Sequence, residues 1–209
     1  MSSSRSERRE RPQTQARRAE IIRAATATFG AKGYNRGPLT EIADQVGMTH
    51  AGILHHFGSK NALLLEVLQY RDDSDVEKLP DHHIPGGTEL FRHLVRTAFL
   101  NAQRAGIVQA FAVLSAESVT DDHPARSYFE ERYANLRREV TEAFRVMCEE
   151  AGVTAPATVE MASASILAVM DGLQVQWLLD PTALDLGEAS AFAIEAIVAQ
   201  VLTPRSTLL

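Results

Sequence analysis

The chain has 209 residues, enough for one medium domain or two small ones sharing an interface. A hydrophobic fraction of 45% and a charged fraction of 23% exclude wholesale disorder and a collagen-like repeat, and the single cysteine, Cys148, excludes a disulfide scaffold. The net charge of -6 argues against a nucleic-acid partner only as an average: residues 1–60 hold ten Lys or Arg against five acids, which leaves 11 basic and 22 acidic side chains on the remainder. Such polarity suggests a basic binding module joined to an acidic body.

The first stretch, MSSSRSERRERP, is charged and leads into no apolar core segment, so it is not a secretory signal; residues 1–13 are expected to be a disordered basic arm. No apolar run approaches the roughly 18 residues of a membrane span. With one cysteine, a cytoplasmic protein that makes no membrane contact is expected.

Ile22, Ala25 and Phe29 recur at helical spacing, and Gly33 is a plausible end to that first helix. Thr40 reads as the N-cap of a short helix ended by Gly47, and Thr49 as the N-cap of a second that runs to Phe57. Ser59 then caps a longer helix from Lys60 to about Lys78. Two short helices around a glycine-containing turn are the helix-turn-helix pattern, whose second helix enters the DNA major groove; a generic helical hairpin has the same outline. Ile53 and Phe57 have the spacing of core residues, holding together helices too short to stand alone.

After the loop PDHHIPGG, helices are expected over about 88–105, 107–119, 124–151, 157–179 and 188–202, with Pro124 at a helix start. Nothing reads as a strand. The fold class is all-α with about nine helices: a helix-turn-helix domain over 14–80 and a second helical domain over 81–209.

The segment ending the first helix, ATATFGAKGY, followed by LTEIADQVGMTHAGILHHFGSKNALL, resembles the DNA-binding domain of tetracycline-repressor-type (TetR) transcriptional regulators, and DGLQVQWLLDP at 171–181 is similar to a phrase in the C-terminal dimerisation helix of that family. The resemblance implies a homodimer acting on double-stranded operator DNA, most often a repressor released by a small-molecule effector. It makes 49–57 the recognition helix and 81–209 the ligand-binding and dimerisation domain. His50, Ala51 and Gly52 then approach bases, Thr49 and Lys60 approach phosphates, and Thr40 is a weaker contact. The family often carries Tyr where this chain has Leu54, which shifts a phosphate role to His55 and His56. Arg5, Arg8, Arg9 and Arg11 either follow the minor groove or form a solvated tail.

In the acidic body, small residues Ser165, Ala168 and Gly172 form a stripe that admits another helix, with Leu178, Phe192 and Ile197 adding bulk for a four-helix dimer seam. An intramolecular core accounts equally for part of this set. Phe99, Gln103, Phe111, Leu114, Tyr128, Met170, Gln174 and Trp177 are candidate effector-lining residues, being aromatic, polar or large on apolar helices. No catalytic motif, cofactor loop or metal-ligand set stands at usable spacing, so neither enzyme chemistry, cofactor nor metal is expected; Glu89 and His93 with His82 and His83 read as solvated side chains. The other readings are a helical small-molecule-binding protein without DNA activity and, last, an all-α enzyme.

Overall fold

A computed structural model of the chain describes residues 12–76, 79 and 84–203, and the arginine arm and the His82-His83 pair lie outside these. Among the described residues there are nine helices and no strand: α1 Pro12–Arg36, α2 Leu39–Gln45, α3 His50–Phe57, α4 Lys60–Val76, α5 Gly87–Asn101, α6 Ala105–Glu117, α7 Arg126–Glu150, α8 Val159–Leu179 and α9 Leu186–Leu202.

The head is α1–α4, closed around Ile21, Ala25, Phe29, Ile42, Ile53, Leu63 and Leu64. Its short helices are fixed by local chemistry as well as burial. The Thr49 hydroxyl accepts the Gly52 N–H at 3.1 Å, and the Ser59 hydroxyl accepts that of Ala62 at 3.0 Å. Thr40 does not cap α2. The chain enters that helix through Pro38, whose fixed φ of -78° suits the position before the first turn, and Thr40 is an exposed residue of the turn itself.

Gly33 interrupts α1 with φ 73° and ψ 173°, a backbone conformation that side chains resist. Three residues earlier, a Cβ on Gly30 would fall 3.1 Å from the Ala110 backbone, so α1 and α6 meet nearly backbone to backbone. The head core therefore continues without a break into Phe111 and Leu114 of α6 and Phe129 of α7.

In the body, α5, α7, α8 and α9 enclose Phe91, Phe144, Ile166, Met170 and Ile194, while Val108, Trp177 and Leu186 form a smaller cluster where α6, α8 and α9 meet. Cys148 is fully buried in the larger core. The helix α7 starts at Arg126, two residues after Pro124, because His123, Pro124 and Ala125 turn around the buried His123 ring. At 21 residues, α8 is long and apolar enough to cross a membrane by length and composition, against the expectation that no segment is. Its apolarity has a local cause: one face packs in the body core and the opposite one carries the small-residue stripe.

Candidate functional site

On the head, His50, Ala51 and His55 are exposed along α3, Gly52 and His56 are half-buried, and Leu54 packs on the head core. The His55 and His56 rings meet edge to face, with centroids 5.9 Å apart. The carbonyl of His56 accepts from Arg18, whose guanidinium also pairs with Glu66 at 2.9 Å and covers the Phe57 ring at 4.4 Å. This clamp fixes the C-terminal end of α3 against α1 and α4. Gln45 ties α2 to α1 by donating to the Thr28 hydroxyl at 3.1 Å.

Lys60 is not the free hook that its sequence position suggests. Its ammonium donates to the Tyr34 carbonyl and lies 4.4 Å from the centre of the Tyr34 ring, so one proton is spent holding α4 to the end of α1. Burial pulls its pKa below the ordinary lysine value, and the charge of Glu117 pulls it back up.

Glu117, the last residue of α6, reaches the same corner. Its carboxylate accepts the Tyr34 backbone N–H at 2.7 Å and occupies the space beside Gly33, where a Cβ would fall 2.0 Å from a carboxylate oxygen. Behind it lies His123, buried, with Nδ1 3.1 Å from the Ser118 hydroxyl and Nε2 3.9 Å from Glu117. That Nε2 has no hydrogen-bond partner among the described residues. Burial lowers the His123 pKa, opposed by Glu117.

In the body, a cavity of about 440 Å³ lies between α4, α5, α6, α7 and α8. That is within the range of small-molecule sites. Of the expected lining residues, Phe111, Tyr128, Met170 and Gln174 are there and Phe99, Gln103, Leu114 and Trp177 are not. Phe99 points to the outside of α5, its ring so close to Gly187 that a Cβ there would fall 2.3 Å away. Gln103 is exposed in the α5–α6 turn, Leu114 is fully buried in the head–body core, and Trp177 is enclosed with Val108 and Leu186.

The cavity's most conspicuous chemistry comes from charged residues, which are not among the aromatic and polar residues of the apolar helices. Asp72 of α4 accepts hydrogen bonds from Tyr128 and Arg132 of α7. Arg71 pairs with Asp72 at 3.4 Å and Asp75 at 3.1 Å, and its guanidinium lies 4.2 Å from the centre of the Phe111 ring, with that of Arg132 at 5.0 Å. Arg104 also pairs with Asp75. On the α8 side, the Tyr133 hydroxyl donates to Asp171 at 2.6 Å. Burial raises the pKa of Tyr128, of Tyr133 and of Asp171; in Asp171 the Tyr133 bond and the two arginines work the other way. His93, expected to be solvated, is buried on the cavity wall, and burial lowers its pKa. The sequence signal was present in YRDDSD at 70–75, where an arginine and three acids continue a helix whose preceding turns are core. No metal-binding group of His, Cys, Asp and Glu forms among the described residues.

The other face of α8 meets no partner among the described residues. Met161, Ser165, Ala168, Gly172, Val175 and Leu179 are all exposed at alternating spacings of three and four, and Phe192 of α9 is 77% exposed beside them. Leu178 and Ile197 face inward instead, each half-buried against a body cluster.

Residues 21–67 match the family model for bacterial regulatory proteins of the tetR family, and residues 87–202 match that for the C-terminal part of BetI-type transcriptional repressors. A probable HTH-type transcriptional regulator of Pseudomonas putida, ArpR, is 27% identical over 190 residues, covering 86% of this chain and 88% of the relative. The fold is similar to that of FadR from Bacillus subtilis, solved in complex with stearoyl-CoA (TM-score 0.71, 17% identity, 87% of this chain and 97% of that one). It is also similar to a regulator from Saccharomonospora viridis solved in complex with choline (TM-score 0.69, 21% identity, 88% and 96%). With a helix-turn-helix head matched by one model and more than half of its length matched by the other, the chain belongs to the TetR family of transcriptional regulators.

Proposed function

We propose that this protein is a cytoplasmic, homodimeric repressor that binds a palindromic operator and releases it when a small molecule enters the α4–α8 cavity. The observation that carries the reading is the placement of α6. Phe111 lines the cavity and Glu117 holds the Tyr34 N–H in the head. These residues are six apart on one helix, a rise of about 9 Å. A ligand that presses on Phe111 from the cavity thus acts on the element that fixes the end of α1. Ligand binding lowers operator affinity by its preference for the shifted arrangement, and by nothing more. The complexes of the two fold neighbours support effector binding as a use of this architecture.

His50, Ala51 and Gly52 are the base-reading positions of the α3 surface, with His55, His56, Thr49, Thr40 and the remaining protons of Lys60 on phosphate. Two copies joined through the exposed α8 and α9 stripes present paired recognition helices to half-sites about 34 Å apart. The regulator reading supports no enzymatic role. Footprinting on the DNA upstream of the protein's own coding region tests the reading. A protected palindrome of two half-sites is expected, and uniform retention on unrelated duplexes would overturn it.

A further inference from the structure

Granted that the cavity is the effector site, its side chains also select the effector's charge. Six carboxylates line it, from Asp72, Asp73, Asp75, Glu131, Glu139 and Asp171, against the guanidiniums of Arg71 and Arg132. Neither guanidinium is available to an incoming anion. Arg71 is shared between Asp72 and Asp75, Arg132 is committed to Asp72, and both are stacked on Phe111. Recruiting one would break a partly buried pair and leave a carboxylate without its cation, an arrangement that is strongly unfavourable.

The α8 wall offers the opposite. Among the described residues Asp171 has one side-chain partner, the Tyr133 hydroxyl, and no ion pair. Glu139, half-buried on α7, makes no ion pair or hydrogen bond among the described residues. Gln174 stands one turn from Asp171 on the same face of α8 and is only 8% exposed, yet its amide has no hydrogen-bond partner among the described residues. Its amide is not sealed in the protein but opens on the cavity, where a polar group of a ligand can meet it. Leu94, Leu136, Leu167 and Met170 supply apolar surface around this polar pair.

We propose that the cavity takes an organic cation with an apolar body, its positive centre lodged against Asp171 in a field strengthened by Glu139, and a hydrogen-bonding group on Gln174. Choline and stearoyl-CoA, held by two proteins of the same fold, differ in charge, so the fold alone does not set the sign of the ligand.

Calorimetric titration of the full-length protein with tetraphenylphosphonium and with tetraphenylborate, ions of the same shape and opposite charge, tests this. The phosphonium is expected to bind at least about ten-fold more tightly than the borate. Asp171→Asn, which keeps an acceptor for Tyr133, should weaken the phosphonium by about ten-fold, and the less buried Glu139→Gln should weaken it by a smaller factor while leaving helical circular dichroism unchanged. Equal or tighter borate binding overturns the charge assignment, as does phosphonium binding indifferent to both substitutions. Leu167→Trp, which fills the cavity, separates the two levels of the argument. If it abolishes binding of a preferred borate, the cavity reading stands and the charge assignment falls. If phosphonium binding survives it, or neither ion binds, the cavity reading and the proposal fall together.

Discussion

Glu117 accepts the backbone N–H of Tyr34 at 2.7 Å, joining the end of α6 to the end of α1 across 83 residues of sequence. Gly33 leaves room for that carboxylate, and its positive φ turns the chain so that the Tyr34 N–H faces it. Glu117→Ala should therefore lower stability by about 1–2 kcal/mol, the range for a charged hydrogen bond that is partly solvated. It should also reduce the effector-dependent fall in operator affinity. Glu117→Gln keeps an acceptor and should retain most of both. Urea unfolding and operator titration with and without effector check this; an alanine variant with undiminished release would remove α6 from the coupling.

Two buried histidines give the stability a pH dependence of known sign. Burial lowers the pKa of His123 and of His93, so on acidification the unfolded chain takes up protons near pH 6.5 before the folded one does. Stability is then fully present above about pH 6.5 and is lost as pH falls toward the folded values. Glu117 opposes this at His123 and Asp75 at His93, with Arg96 adding to the lowering there. His123→Asn, which preserves an acceptor for the Ala125 N–H, should flatten part of the decline between pH 7 and 5. A denaturation series with the same slope in the variant would contradict it.

Lys60→Ala should have two separable effects. Loss of the Tyr34 contact lowers stability by about 1 kcal/mol. Loss of a cation at the start of α4 reduces the slope of log affinity against log salt by about one. His50→Ala and Gly52→Ala should instead change which bases are preferred and leave that slope nearly intact. An unchanged slope in Lys60→Ala would assign the residue wholly to the head's interior.

Leu179 and Phe192 are 82% and 77% exposed on adjacent helices, too much apolar area to leave in water by design. If the proposed homodimer pairs through this face, Leu179→Glu and Phe192→Glu each yield monomers in sedimentation at micromolar concentration, and Gly172→Leu, with nothing within 4 Å of its added Cβ, disturbs the dimer without disturbing the protomer. Unaltered dimers in all three would move the seam elsewhere.

Much of this was legible in the chain itself. Periodicity and caps located the head helices because Thr49 and Ser59 act within three residues, and a contact that short is written in sequence order. The small-residue stripe was legible for the same reason, since spacing alone puts Ser165, Ala168 and Gly172 on one face. Side-chain direction across helices was not. Trp177 and Phe99 have the composition of ligand-lining residues, but a cavity is made by which faces of α4, α7 and α8 converge, and that depends on how Gly187 and Val108 seat those two rings elsewhere. The carboxylates and arginines escaped notice because charge on a helix ordinarily means solvent; only the facing of α4 and α7 turns Arg71, Asp72 and Arg132 inward.

The approach of Gly30 to Ala110 bears on engineering. Regulators of this type invite chimeras in which one protein's DNA-reading head is grafted to another's sensor. Here the graft boundary runs through a contact only about one carbon–carbon van der Waals distance wide, with a Cβ at Gly30 already tight at 3.1 Å. A transplanted head with a larger residue at 30, or a recipient sensor with one at 110, would pry the two helices apart and uncouple specificity from sensing. Hybrids that preserve glycine and alanine at this pair are the ones that should switch.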